Sequence, residues 1–576
     1  MTAIAVSTSI SSGRLQLVNV RQRLLLIAKW RVLWVLAAFA LVAIIAMIRL
    51  FWLGVAEAAP ESRNMDEALL PPRGEIVDRN GLPLARAFPA YALWYNPKAL
   101  GDGAPLVSSP EEVAAALVRI FPDENYAALV ARLASGKPGY LRRRIMPEDA
   151  NRLHALGEPA LEFPRENERY YPQGSMAAFV LGYVDAGGQG QLGMERVLDK
   201  RLTDPAMRGA PTVLSIDARV QGAVEDELAR AIRESNAKGG GAIVMDADTG
   251  EILALASAPT FDPNRPVIES ADGQKLMRNI MTSEVYELGS VFKPLTVAAA
   301  IDNGTLTDMA ERIPAGSERD VGGHLVHDHK NYGETLNTPE ALIHSSNIVL
   351  AQIGDRLGPE ALSGTLRQLG FDQRPALELP ALGFPLLPRD WSRVTTTTVA
   401  YGHGMSVTPM HVAAAYAALV NGGIWRPATL LRRAPQDVPQ GTRIWKASTS
   451  ARMRQLLRLI VDIGTGRSAN AAGYRVGGKT GTAEIGDRLG YHKDRVVTTF
   501  AAAFPMDRPR YVVLTTLVEP KATEATRGQR TAAYNAAPIV GRVVPRIGPL
   551  LGIMPDDTRD VDISDLAPLV ASGDGE

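Results

Sequence analysis

The sequence predicts a mixed α/β (α+β) protein carried on one membrane helix, with an elongated N-terminal α+β module ahead of a larger α/β domain. Three observations predict this. There is one long apolar run near the N-terminus; amphipathic helices alternate with glycine-rich stretches up to about residue 215; and beyond it apolar strands are interleaved with helices. A chain of 576 residues is too long for one ordinary core, so several modules are expected.

Hydrophobic residues make up 46% and charged residues 22%, the balance of a globular protein with substantial cores. Formal net charge is zero, which argues against nucleic acid as the main partner because no global field gathers phosphates. Cysteine is absent, which excludes disulfides and thiolate metal sites and fits an oxidising envelope compartment. Val32 through Ile48 is unbroken apolar sequence, and Leu50 through Val55 continues it beyond Arg49, so 32–55 is long enough to span a bilayer. Arg14, Arg21, Arg23, Lys29 and Arg31 precede it without an acidic residue, while Glu57, Glu61, Asp66 and Glu67 follow. The positive-inside rule then places 1–31 in the cytoplasm and the body outside. Ala56-Glu57-Ala58 resembles a signal cleavage site, but the apolar core is longer than the roughly 7–15 residues of a signal peptide, which favours a retained anchor.

In chain order, 58–70 reads as a short linker. Arg73-Gly74-Glu75-Ile76-Val77-Asp78-Arg79-Asn80-Gly81 reads as a strand entering an Asn-Gly turn, with Leu82–Ala85 beginning the return and Asp78 and Arg79 pinning the turn. Helices are expected over 110–120, 123–134 and 147–156, followed by a glycine-rich section from Arg169-Tyr170-Tyr171-Pro172-Gln173-Gly174 to Glu195. Nothing here gathers a nucleophile, a base and an acceptor pocket, so 56–215 reads as a spacer or docking pedestal. A boundary near 212–217 leads into a helix capped by Asp217, then a hairpin of two apolar strands, 240–245 and 251–256. Further strands are expected over 496–504 and 511–518, and the acidic segment 555–576 reads as a mobile tail.

Three clusters carry the chemistry. Ser290 and Lys293 lie three apart at the mouth of a helix, which puts a nucleophile and a base on one face within hydrogen-bond reach. Ser345-Ser346-Asn347 breaks two helices, the first opened by Thr338 as N-cap, and presents a hydroxyl and a carboxamide from a turn. Gly477-Gly478-Lys479-Thr480-Gly481-Thr482 lies shortly before the last two strands; its glycines permit a peptide to lie along the sheet edge, and Lys479, Thr480 and Thr482 suit a carboxylate. Each motif alone is common. Their order, Ser-x-x-Lys, Ser-x-Asn, Lys-Thr-Gly, is the triplet of β-lactamases and penicillin-binding proteins.

On these motifs the chain resembles the class B penicillin-binding proteins, the peptidoglycan D,D-transpeptidases, from the membrane helix to about Leu551. The stretches Tyr286–Ser290, Ala341–Asn347 and Tyr401-Gly402-His403-Gly404 are most similar to the cell-division (FtsI) type, with the elongation type the nearest alternative. Leu288 stands where proline is frequent in the family, and Val291-Phe292 replaces a more usual Thr-Val or Thr-Phe. The resemblance implies a transpeptidase domain over 216–554 with a mainly antiparallel sheet between helices. It also implies catalytic roles for Ser290, Lys293, Ser345, Asn347 and Lys479, substrate binding by Thr480, Gly481 and Thr482, and an oxyanion hole from the N–H groups of Ser290 and Thr482. Implied partners are peptidoglycan stem peptides, β-lactams, and, because the pedestal leaves no glycosyltransferase segment, a polytopic glycosyltransferase of the FtsW type with other division proteins. The implied location is the bacterial inner membrane, single-pass, with the catalytic domain periplasmic at the septum. No cofactor is implied. His324, His327, Asp328 and His329 invite a metal reading but lack a fourth well-spaced ligand, so a polar loop beside the cleft is expected. A β-lactam hydrolase would need a glutamate placed to activate water, and a penicillin sensor a signalling domain; neither has a recognisable motif here.

Overall fold

The computed structural model describes residues 20–56 and 73–570, apart from 102, 186, 267–277, 322 and 488–489. The expected linker 58–70, the first nineteen residues and the last six lie outside the described residues. The chain divides into two units, Met1–Leu70 and Pro71–Glu576. In the first, helix α1 (Val20–Ala56) contains Ile27–Arg49, 23 residues long and apolar enough to cross a membrane. Such a stretch hydrogen-bonds its own backbone, the condition for a segment in lipid.

The second unit begins with a small mixed sheet. Strand β1 (Ile76–Val77) turns into the long β2 (Pro83–Tyr95), which also pairs with β3 (Gly139–Ile145), β4 (Leu161–Glu162) and β5 (Arg165–Tyr170), while β1 pairs in parallel with β6 (Thr212–Val213). Helices α2 (Pro110–Ile120), α3 (Tyr126–Ala134) and α4 (Pro147–His154) form over the expected stretches. Their apolar stripes, Val113, Leu117, Leu129, Leu133 and Leu153, close a core with Leu93 and Tyr95. Asp78 pins the first turn by accepting from the N–H groups of Asn80 and Leu82 at 2.8 Å, and its second oxygen accepts from Ala218 N at 3.1 Å. One carboxylate thus joins the hairpin to the next helix. Beneath it, fully buried Glu195 accepts from Arg73 at 2.7 Å and Arg169 at 2.6 Å, and Arg73 also reaches Asp199 at 2.8 Å.

Helix α5 (Ala218–Ser235), capped by Asp217 as expected, leads to a five-stranded sheet in the order β11 (Gly477–Asp487), β12 (Gly490–Phe504), β13 (Tyr511–Val518), β7 (Gly239–Asp246), β8 (Ile252–Ala258). Every pairing is antiparallel. The strands read as continuous apolar runs because both faces are covered. Ile243, Leu255, Ala501 and Leu514 enter one core with helices α6 (Lys293–Asn303), α9 (Pro409–Val420) and α10 (Ala447–Ile463). Ala242, Val244, Phe500 and Val513 enter another with α5 and α11 (Ala536–Ile547).

Two expectations are corrected. The helix before the Ser-x-Asn turn, α7 (Thr338–His344), is capped by Asn337, not Thr338: Asn337 accepts from Glu340 N at 2.9 Å, and Glu340 answers through Asn337 N at 2.9 Å. Nor is 555–570 a mobile tail. It lies along α10, where Arg458 meets Asp560 at 2.7 Å and Arg452 meets Asp565, while Leu566 is buried and Leu569 O accepts from Asn337 at 2.6 Å. Its acidic residues find arginines spaced along one helix face, which composition alone does not reveal.

Candidate active site

Ser290 sits in a 3-10 turn (Gly289–Phe292) that runs into α6, with Pro294 in the first helical turn and Gly304 ending the helix in the left-handed conformation. Two other segments touch this turn closely enough to exclude side chains. A Cβ on Gly481 would stand 2.3 Å from Leu288 O, and one on Gly402 would stand 2.0 Å from Gly289 O. Strand β11 and the Tyr401–Gly404 loop therefore press directly on the backbone around Ser290. From the core side, Tyr416 donates to Val291 O at 2.8 Å and Thr296 to Ala400 O at 2.7 Å. The half-buried Ser290 is thereby held by four elements.

The second motif supplies the partners of Lys293. Ser345 ends α7 with φ 62° and ψ 41°, a left-handed conformation costly for a residue with a side chain. Ser346 then caps α8 (Asn347–Leu357) by accepting from Val349 N at 3.2 Å. The strained turn aims Ser345 Oγ and Asn347 Oδ1 at a buried amine. Lys293 Nζ donates to Ser345 O and, at 2.7 Å, to Asn347 Oδ1, and stands 3.1 Å from Ser345 Oγ. Lys479 Nζ, from β11, donates to Ser345 Oγ at 2.9 Å, Thr480 O at 3.1 Å and Thr480 Oγ1 at 3.3 Å. Thr480 Oγ1 also meets Thr465 Oγ1 at 3.0 Å, and Thr482 Oγ1 accepts from Ala532 N at 3.1 Å.

Three acceptors face each amine: Ser345 O, Ser345 Oγ and Asn347 Oδ1 at Lys293, and Ser345 Oγ, Thr480 O and Thr480 Oγ1 at Lys479. Two ammonium groups sharing one hydroxyl repel each other, which favours a neutral amine at one of them. Burial, and then the charge of Lys479, push Lys293 well below the usual lysine range, with Asp328 opposing, while burial brings Lys479 down to about 7. Burial lowers His403 to about 4, so its imidazole is neutral.

Sequence reasoning placed Ser290 and Lys293 within hydrogen-bond reach. Among the described residues no hydrogen bond joins Ser290 Oγ to Lys293, because the Ser-x-Asn turn takes the amine instead. In the sequence Asp328 stands only as one polar residue of the His324–His329 loop. It follows strand β10 (His324–His327), which pairs with β9 (Glu318–Val321). Its carboxylate accepts from Ser346 Oγ and Asn347 N, both at 2.5 Å, and from Ile348 N at 3.2 Å, an anion at the N-terminus of α8. Asn347 Nδ2 donates to His327 O at 3.0 Å, which fixes Oδ1 toward Lys293. No periodicity or spacing signals this, since a capping residue supplied from another element leaves no local pattern.

Comparison with known proteins matches the penicillin-binding protein transpeptidase domain over residues 240–543 and the penicillin-binding protein dimerisation domain over 68–204. The chain belongs to the penicillin-binding protein transpeptidase family. Within it, the chain is of class B and of the FtsI type. It is 38% identical over 491 residues to the probable peptidoglycan D,D-transpeptidase FtsI of Caulobacter vibrioides, covering 84% of this chain and 82% of that one. It is 29% identical over 514 residues to the FtsI of Escherichia coli K12, covering 84% of each. Penicillin-binding protein 3 of Mycobacterium tuberculosis, solved with aztreonam, superposes with a TM-score of 0.65 at 27% identity, over 84% of this chain and 98% of that one.

Proposed function

We propose that this protein is a peptidoglycan D,D-transpeptidase that cross-links stem peptides through an acyl-enzyme on Ser290, in septal wall synthesis during division. The observation that carries the reading is the hydrogen-bonded run from Lys479 through Ser345 to Lys293, which supplies a neutral amine beside the nucleophile's helix. Ser290 Oγ attacks the carbonyl between the two terminal D-alanines, and its proton passes to Lys293. The N–H groups of Ser290 and Thr482 stabilise the oxyanion, a placement that the contact of β11 with the Ser290 turn favours. Ser345 relays the proton from Lys293 to the departing D-alanine amine. The amine of a second stem peptide then attacks the ester, transfers its proton back through the same route and restores the Ser290 hydroxyl. Lys479, Thr480 and Thr482 hold the substrate carboxylate, Gly481 lets the peptide lie against the strand, and Asn347 holds Lys293 and the peptide amide.

Ser290, Lys293, Ser345, Asn347 and Lys479 are the catalytic set in this reading. β-Lactams acylate the same serine. The anchor α1, with its basic flank inside, would hold 56–215 as a pedestal in the periplasm, and a polytopic glycosyltransferase of the FtsW type would supply the glycan. Stoichiometric labelling by a fluorescent penicillin, lost in Ser290→Ala, together with cross-linked product from a stem-peptide donor and acceptor, is the expected result. Rapid turnover of penicillin, or labelling that survives the substitution, would sink the reading. A fluorescent fusion is expected at midcell; an even lateral distribution would assign the protein to elongation.

A further inference from the structure

A cavity of about 900 Å³ opens at the other end of α10 from the transpeptidase cleft. Helix α10 leaves Ala447 at the cavity and delivers Thr465, just past its C-terminus, to the hydroxyl of Thr480 in the cleft. Its 17 residues separate the two by about 25 Å at 1.5 Å per residue. The cavity's walls come from the β7–β8 and β12–β13 turns, the end of α9, the start of α10 and the segment 552–559.

Its charge is uneven. Arg454, Arg508, Arg510 and Arg559 line it against Asp248 and Asp556. Two of the four arginines are neutralised: Arg510 meets Asp246 at 3.1 Å, and Arg559 meets Asp507 and Asp556 at 3.2 Å each. Arg508 has no carboxylate partner among the described residues. Arg454, half-buried, makes one long hydrogen bond, to Asp507 O at 3.4 Å, and its Nε is buried with no acceptor. Neither Arg454 nor Arg508 is neutralised by a carboxylate among the described residues, so both leave positive charge on the cavity wall. Burial also lowers the proton affinity of Arg454, with Asp507 only partly opposing. Asp248, facing the same space, is raised by burial and by Asp246, with Arg510 and Arg426 opposing.

We propose that this cavity binds a small multivalent anion through carboxylate or phosphate oxygens, with Arg454 and Arg508 as its principal donors. Planar guanidinium forks suit both oxyanions, and the space admits a ligand with two or more charged groups. The site is separate from the cleft in which the substrate carboxylate is read.

Equilibrium dialysis of the full-length protein in detergent, with labelled pyrophosphate and labelled citrate as probes, tests this. Saturable binding of one equivalent is expected for at least one probe, with Kd below ~1 mM. The affinity should fall with added salt and drop ~10-fold in Arg454→Gln and in Arg508→Gln, the effect of losing one charge-assisted hydrogen bond. Pyrophosphate alone would identify phosphate chemistry, and citrate alone carboxylate chemistry; either supports the proposal. Penicillin acylation in both variants should stay within about twofold of the parent, which reports an intact fold and cleft. No saturable binding of either probe, or binding unchanged in both variants, overturns it. The exposed Arg508 keeps the test open should the half-buried Arg454 prove necessary for folding.

Discussion

Asp328 illustrates how a residue outside the three motifs governs one of them. Its charge faces the N-terminus of α8 and raises the proton affinity of Lys293, so removing it has two consequences of known sign. In Asp328→Asn the acylation rate constant should fall ~10-fold, about 1.4 kcal/mol of transition-state stabilisation, as the backbone of Asn347 at the start of α8 loses its anionic anchor. The acidic limb of the pH profile should also move to lower pH, because Lys293 then loses its proton more readily. Stopped-flow acylation across pH measures both; an unshifted limb would reduce Asp328 to a scaffold. Lys479 yields a second profile. With its pKa near 7 from burial, it loses charge as pH rises through that value. The second-order acylation constant, which reports the free enzyme, should therefore decline above about pH 7. At saturating penicillin the bound carboxylate keeps the lysine protonated, and that decline should shift upward.

At the scale of elements, the cleft exists because β11 can lie flat against the Ser290 turn. Gly481→Ala would push its methyl into Leu288 O, and the strand must back away. Acylation should fall at least ~100-fold from misplacement alone, with a loss of thermal stability on the order of 1–3 kcal/mol, as followed by melting and penicillin labelling together. Much of this was legible in the sequence: the three motifs, the helix from Lys293 to Asn303, the β7–β8 hairpin and β13 all announce themselves through local pattern. What was not legible depends on distant pairing. β2 runs on to Tyr95 through Pro89 because β3 and β5 cover it from more than forty residues away. The choice of Ser345 and Asn347 over Ser290 as partners of Lys293 is likewise settled by a turn more than fifty residues along the chain.

Across the whole molecule, Asp78 to Ala218 N at 3.1 Å and Arg79 to Glu251 at 3.2 Å tie the N-terminal sheet to the transpeptidase domain, while a buried charge cluster holds the N-terminal module itself. Glu195 has both oxygens engaged by arginines, Arg73 from the stretch before β1 and Arg169 from β5. Glu195→Ala leaves the buried guanidinium of Arg169 without a carboxylate and Arg73 with Asp199 alone, and should cost ~3–5 kcal/mol, seen as a lower melting temperature. Penicillin labelling per folded molecule should be unchanged, because no atom of this cluster enters the cleft. A fall in labelling greater than the fall in folded fraction would mean that the pedestal tunes the chemistry.

The buried ammonium of Lys479 has a bearing on inhibitor chemistry. Its charge is already stripped of water and faces only neutral oxygens, so an entering acid function meets a cation whose dehydration is complete before the compound arrives. Replacing that acid with an uncharged isostere should therefore cost a drug candidate more in this cleft than at a solvent-bathed lysine. Scaffolds that retain a permanent anion are the ones this enzyme should select.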